Sequence, residues 1–191
     1  MNPALHTKPA LRREVLARLG AMTETERAAA SEQARGLLVR QPRWQRAESV
    51  LFYAPMPGEL DVWPLVREAL AAGKRVALPW FDPAAGKYAA CAIENLETDI
   101  RTGHYGIREP APHRTGERLN RLDFILAPGV AFDPQGRRLG RGKGYYDQLL
   151  AAVRGTTCGV AFDQQILPLL PVEPHDVSLN CILTPTRWFE F

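Results

Sequence analysis

A chain of 191 residues, 46% hydrophobic and 24% charged, is long enough for one domain with a substantial core and carries no signature of disorder. Its formal net charge of +3 is too small to argue for a nucleic-acid partner, so the placement of charge matters more than its sum. Three cysteines, Cys91, Cys158 and Cys181, odd in number and without a CxxC pair, read as buried reduced thiols and argue against a disulfide framework or a zinc site.

The opening "MNPALHTKPALRREVLARLG" is charged throughout and lacks the apolar stretch of a signal peptide. No apolar run approaches the roughly 20 residues that span a bilayer, so a cytoplasmic protein with no membrane partner is expected. Pro9 suits a first helical turn, and Leu11, Val15, Leu16 and Leu19 recur on one face of that helix. Thr23 and Glu26, at capping-box spacing, open a second helix, with Leu37, Leu38 and Val39 near its end.

The pattern then changes. "SVLFYA" predicts a short buried strand, and "DVWPLVREALAAG" a helix capped by Asp61 and stopped by Gly73. "KRVALPW" and "YAACAI" predict strands joined through a turn at "FDPAAG". Residues 97–119, rich in Gly, Pro and charge, read as a long irregular loop. "LDFILAPGVAF" is a buried strand ended by Pro128 and Gly129, "YYDQLLAAV" a helix, and "TTCGVAF" and "CILTPT" two more strands. Apolar strands alternating with amphipathic helices predict a single α/β domain over 1–191. Its architecture is three-layer, with a mostly parallel, Rossmann-like open sheet and helices on both faces. Ligands in such folds sit at the carboxyl ends of the strands.

One connection at that end stands out. "GRRLGRGKGYYD", Gly136 to Asp147, holds four glycines, four cationic side chains, two tyrosines and an aspartate in twelve residues, just before a predicted helix. Glycines let backbone N–H groups approach a ligand, and a helix N-terminus behind them completes an anion cradle. Arg137, Arg138, Arg141 and Lys143 add formal charge; Arg141 and Lys143 lie among the glycines, whereas Arg137 reads as solvated. Phosphate fits this arrangement, yet no standard phosphate loop matches. Five residues separate Gly136 from Gly142, Gly144 stands where a Walker A loop needs a hydroxyl, and Tyr145 stands where GxGxxG needs glycine. Two further readings stay open on these residues. One is an RNA-binding module that stacks bases on the tyrosines, against which the small net charge counts; the other is a sugar-phosphate or coenzyme A enzyme.

The same stretch resembles the signature of the 5-formyltetrahydrofolate cyclo-ligase family. "KPALR", "FYAPMPGELD", "GKRVALP", "GHYGIREP", "GVAFDQQILPLLP" and "HDVSLNCILTPT" follow the family's order, so the resemblance runs from about Lys8 to Thr186. It implies an enzyme that uses ATP and Mg²⁺ to turn 5-formyltetrahydrofolate, with or without a polyglutamate tail, into 5,10-methenyltetrahydrofolate. Such an enzyme works as a monomer or weak oligomer without nucleic acid. Carried over residue by residue, the resemblance implies nucleotide contacts for Lys8, Arg12, Arg138, Leu139, Gly140, Arg141, Gly142, Lys143, Gly144, Tyr145 and Tyr146, with Arg141 and Lys143 acting on the transferred phosphoryl group. It implies folate contacts for Tyr53, Met56, Glu59, Tyr105 and Tyr145, and metal ligation by Asp147 and Asp176. Two positions depart from the pattern: Gln148 stands where the family often has Arg, and Pro9 lies inside the Lys8–Arg12 element. None of the four histidines is assigned a catalytic role.

Overall fold

The computed structural model describes residues 7–82, 86–103, 107–112, 116–173 and 176–191. Helix α1 (Lys8–Gly20) begins where the Thr7 hydroxyl accepts from the Ala10 N–H, with Pro9 in its first turn. Leu11, Val15 and Leu19 are buried, whereas Leu16 is 42% exposed because it lies about 100° around the helix from Val15. Helix α2 (Glu24–Leu38) opens on the expected capping box between Thr23 and Glu26. A short α3 (Pro42–Arg46), too brief to leave a periodic signal, buries Trp44 edge-on against Phe52 and Phe124.

Strand β1 (Ser49–Leu51) takes only the first half of "SVLFYA". In α4 (Trp63–Ala71) Val62 occupies the cap position, but Asp61 still accepts from the Trp63 N–H at 2.9 Å. Strands β2 (Arg75–Asp82) and β3 (Lys87–Ile93) pair antiparallel over seven residue pairs, so Phe81 and Asp82 belong to a strand and not to the expected turn. The segment after β3 is also more ordered than its composition suggests. Strand β4 (Ile100–Thr102) pairs with β5 (Arg108–Pro110), and β6 (Gly116–Glu117) adds to β3. Strands of two or three residues are too short to announce themselves by alternation.

The chain continues through β7 (Phe124–Pro128), the hairpin of β8 (Ala131–Phe132) and β9 (Arg138–Leu139), and α5 (Tyr145–Ala152). It closes with β10 (Thr156–Val160), β11 (Cys181–Leu183) and β12 (Trp188–Glu190), the last of which the sequence pattern did not mark. The main sheet has the order β12-β11-β10-β7-β1-β2-β3-β6. Its central five strands, β11 to β2, are parallel, and the strands at both margins are antiparallel.

Successive side chains of a strand point to opposite faces, and here both faces are buried. Val50, Val76, Leu78, Phe124, Leu126 and Leu183 pack into one core with α1 to α4. Their neighbours Leu51, Ala77, Ile125, Ala127 and Ile182 pack into a second core with Leu149 and Leu150 of α5. Among the described residues the three expected layers are present, with α1 to α4 on one face and α5 on the other. All three cysteines are free and buried; burial pushes the Cys158 thiol well above its usual range, so it stays an inert apolar filler. No helix among the described residues is long and apolar enough to cross a membrane.

The two ends of the parallel strands are built differently. At the amino end, Asp123 Oδ2 accepts from the Glu48 N–H (3.1 Å), the Ser49 N–H (2.9 Å) and the Ser49 hydroxyl (2.7 Å), which pins β1 to β7. Partial burial raises this carboxyl's pKa, but the hydrogen bonds together outweigh it and bring the pKa below its usual value. At the carboxyl end, the chain leaves β1 into the 56–59 turn and β7 into the β8–β9 hairpin and the glycine-rich stretch. Beyond β10 it reaches Glu173 and Asp176, which meet Lys8.

Candidate functional site

The glycine-rich stretch departs from β9 and runs into α5. Gly142 (φ +95°) and Gly144 (φ +69°) adopt backbone conformations that side chains disfavour, which is why this loop needs glycine. Gly144 is the cap residue of α5, and no side chain caps that helix, so its first N–H groups lie beside a bare backbone. Arg12, one turn into α1, reaches this loop from the other side: its Nε donates to the Gly140 carbonyl at 2.8 Å, and its guanidinium lies 3.4 Å from where a Cβ on Gly142 would stand.

The cations of the stretch divide by burial. Arg141 and Lys143 are exposed, and Lys143 makes no ion pair or hydrogen bond with the described residues. Arg138 is buried, its side chain 3% exposed, with Nη1 donating to the Pro128 carbonyl at 3.1 Å and Nη2 to Asp147 Oδ1 at 2.6 Å. It therefore lies beneath the loop and fixes the first turn of α5 to the end of β7. Leu139 is buried too, its carbonyl accepting from the Val130 N–H at 2.7 Å within the hairpin. Arg137 is not simply solvated: it lies 3.6 Å from Asp133 and 3.5 Å from the Leu170 carbonyl.

Lys8 donates to both Asp176 oxygens (3.1 and 2.7 Å) and lies 3.4 Å from Glu173. The first turn of α1 is thus tied to the far loop by an expected nucleotide cation and an expected metal ligand. Glu59 sits in a tight turn with Met56: Glu59 Oε2 accepts from the Met56 N–H, and the Met56 carbonyl accepts from the Glu59 N–H, both at 3.0 Å. Its other oxygen accepts from Arg141 Nη2 at 3.1 Å, so the folate-side turn and the glycine-rich stretch meet through one ion pair. Both residues line a cavity of about 260 Å³, whose walls include Leu16, Gly129, Val130 and Gln165. A larger groove of about 490 Å³ lies between the α1–α2 pair and Asp163, away from every expected site residue.

The tyrosines separate as well. Tyr145 lies in an aromatic group with Phe81 (5.2 Å) and Tyr88 (5.6 Å), and Tyr146 packs against Tyr88 with the Arg138 guanidinium 5.8 Å from its ring. Burial, with the nearby Glu59 charge second, pushes the Tyr146 phenol far above its usual range and keeps it protonated. Tyr53 is wholly buried, its hydroxyl donating to the Leu60 carbonyl at 2.8 Å; it braces the Glu59 turn from inside the core. Tyr105 lies outside the described residues.

Two supporting residues escaped the sequence reading. Asp133, fully buried, accepts from the Gln135 and Arg137 N–H groups (3.0 and 3.1 Å) and the Leu170 N–H (2.8 Å), so it shapes the hairpin that leads into the stretch. The "DPQG" turn was a visible signal for it. Gln165, 4% exposed, donates to the Gly129 and Val130 carbonyls (2.7 and 3.1 Å) and accepts from the Phe162 N–H (2.7 Å). It holds one wall of the cavity, and no local pattern marks it.

Asp147 and Asp176 offer hard oxygen donors of the kind Mg²⁺ takes while sharing its shell with phosphate and water. Among the described residues no three acidic, His or Cys side chains gather into a group that could hold a metal ion.

Comparison with known proteins gives a consistent picture. The profile described as the 5-formyltetrahydrofolate cyclo-ligase family matches residues 4–185. The 5-formyltetrahydrofolate cyclo-ligase of Escherichia coli K12 is 32% identical over 175 residues, covering 90% of this chain and 96% of that protein. The solution structure of the Aquifex aeolicus 5,10-methenyltetrahydrofolate synthetase superposes with a TM-score of 0.87 at 33% identity, covering 96% of this chain and 92% of the other. A Mycoplasma pneumoniae 5,10-methenyltetrahydrofolate synthetase, at 22% identity and a TM-score of 0.74, shares the fold over 93% of this chain and 98% of its own.

Proposed function

Because the chain belongs to the 5-formyltetrahydrofolate cyclo-ligase family, we propose that it converts 5-formyltetrahydrofolate and ATP into 5,10-methenyltetrahydrofolate, ADP and phosphate, with Mg²⁺. The observation that carries this reading is that Arg141 of the glycine-rich stretch pairs with Glu59 of the folate-side turn, the two lining one cavity together. A cation-lined backbone on one side and a carboxylate on the other suit a phosphoryl donor and a nitrogen-rich acceptor held side by side.

The bonds to be changed are few. The formyl oxygen attacks the γ-phosphorus, and the bond to the bridging oxygen breaks with its electron pair leaving on ADP. The formamide has then become an iminium phosphate, whose carbon is an electrophile. N10 attacks that carbon, loses its proton, and phosphate departs as the ring closes. A protein contributes position and charge neutralisation to such a transfer, with little covalent chemistry of its own.

In this proposal the N–H groups from Gly140 to Gly144 and the first turn of α5 take phosphate oxygens, and Lys8 and Arg12 hold the nucleotide from α1. Arg141, with a fork of donors, and Lys143, a mobile point charge, meet the transferring phosphoryl group. Arg138 and Leu139 act from below by fixing the loop. Glu59 accepts paired N–H donors from the pterin's aminopyrimidine edge, with Met56 and Tyr145 as apolar walls. Asp147 and Asp176 would hold Mg²⁺, which when bound supplies further neutralisation at the phosphates.

The test is a near-ultraviolet absorbance assay for methenyltetrahydrofolate with purified protein, each of Mg²⁺, ATP and 5-formyltetrahydrofolate being omitted in turn. Product that requires all three is the expected result. Folded protein that yields none would overturn the proposal.

A further inference from the structure

The ion pair between Arg141 and Glu59 has a property that the other pairs at this end lack. Arg138–Asp147 joins residues within one loop and helix and is buried. Lys8–Asp176 joins two residues read as serving the same nucleotide–metal end. Arg141–Glu59 instead joins a residue of the phosphate cradle to a residue of the folate side, across 82 positions of sequence. Its arginine is 45% exposed while its glutamate is 12% exposed, so the carboxylate is fixed and the guanidinium is the mobile member.

The fixing is visible on Glu59 itself. Oε2 is held by the Met56 N–H in its own turn, and Oε1 accepts the single bond from Arg141. A planar guest with two parallel N–H donors takes both oxygens of a carboxylate, so it competes for the lone pairs of Oε1 that face Arg141. An exposed single-bond ion pair is weak, and a desolvated bidentate contact outcompetes it. Once displaced, Arg141 keeps its charge and its five donors, and the glycine-rich backbone from which it springs is the place where phosphate charge accumulates.

We infer that Glu59 is a positioning residue for Arg141: in the free enzyme it holds the guanidinium away from the nucleotide, and folate, by claiming Glu59, hands Arg141 to the γ-phosphate. This rests on the function proposed above. Folate and nucleotide then strengthen each other's binding, and by linkage the effect is equal in both directions. It also protects ATP, because the phosphoryl-binding arginine is in place only when the acceptor is present.

The experiment is calorimetric titration of the Mg²⁺ complex of the β,γ-imido analogue of ATP, which cannot transfer its phosphoryl group, into protein with and without saturating 5-formyltetrahydrofolate. Wild-type protein should bind the analogue about fivefold more tightly when folate is present, the scale of one exposed ion pair. The reciprocal titration of folate, with and without analogue, should give the same factor. Glu59→Gln should bind the analogue without folate as tightly as folate-saturated wild type does, and the coupling should vanish. Arg141→Ala should also lose the coupling, but through weak analogue binding in both conditions. A merely structural Glu59 would instead weaken analogue binding or leave it alone. Equal affinities with and without folate in wild type would overturn the inference even if the variants failed to fold. The absorbance assay separates the two readings: product without coupling removes this inference alone, whereas no product removes both.

Discussion

The two ends of the parallel strands use the same materials, carboxylates and backbone N–H groups, to opposite purposes. At the amino end the Asp123 carboxylate is matched by three donors from Glu48 and Ser49, and none of them is a charged side chain. At the carboxyl end Glu59, Asp147 and Asp176 each face a cation, and Arg12 and Lys143 have no carboxylate partner among the described residues. The first arrangement is complete and gains nothing from a ligand. The second carries cations and uncapped N–H groups that an anion would satisfy. Polar groups satisfied by backbone hold a fold together, whereas polar groups paired with mobile opposite charges can exchange partners.

Arg138 is where this division breaks down, because it is a carboxyl-end residue with an amino-end style of burial. Arg138→Met should leave Asp147 beside an apolar group and cost about 3–5 kcal/mol of stability as well as activity. A fall of about 6–20 °C in thermal unfolding, at about 2–4 °C per kcal/mol for a chain of this size, would register it. Lys143→Ala should show the opposite profile. Steady-state kinetics should find kcat/KM lower by about 10²–10³, the scale of one transition-state donor, with the unfolding temperature unchanged. If Lys143→Ala turned over like wild type, the exposed lysine would be a solvated charge and nothing more.

Gly155, at the amino end, sharpens the contrast with the site glycines. A Cβ there would stand 2.2 Å from the Leu122 carbonyl oxygen and 2.5 Å from that of Asp123. Gly155→Ala should therefore cost about 1–3 kcal/mol by urea unfolding and leave KM for both substrates untouched. Asp123→Asn is the mildest case, at about 1 kcal/mol at neutral pH, because an amide oxygen still accepts the same hydrogens. Its pH dependence has a definite sign. The folded carboxyl has a lowered pKa, so its contribution is fully present above the unfolded value of about 3.9 and is lost as pH falls through the folded value. Acid unfolding followed by circular dichroism should find the wild type's advantage over Asp123→Asn shrinking below about pH 4.

Much of this molecule was legible in its sequence, for reasons that are local. Caps, turn glycines and apolar runs act within a few residues, so α1, α2, α4, α5 and the central strands stood where the pattern put them, and both faces of the sheet were expected to be buried. The glycine-rich stretch drew the expectation of an anion cradle because bare backbone before a helix offers N–H groups where four cationic side chains gather. Short pieces such as α3, β4 and β12 left no periodic trace. Tertiary structure alone decided which partner each site residue meets. Lys8 finds Asp176 across 168 positions, Arg141 finds Glu59 across 82, Arg138 goes under the loop while Arg141 stays on its surface, and Tyr53 braces a turn from within the core. Composition and spacing set how strongly each residue is drawn to charge or to burial. The order of strands in the sheet, which no local pattern encodes, sets what lies within its reach.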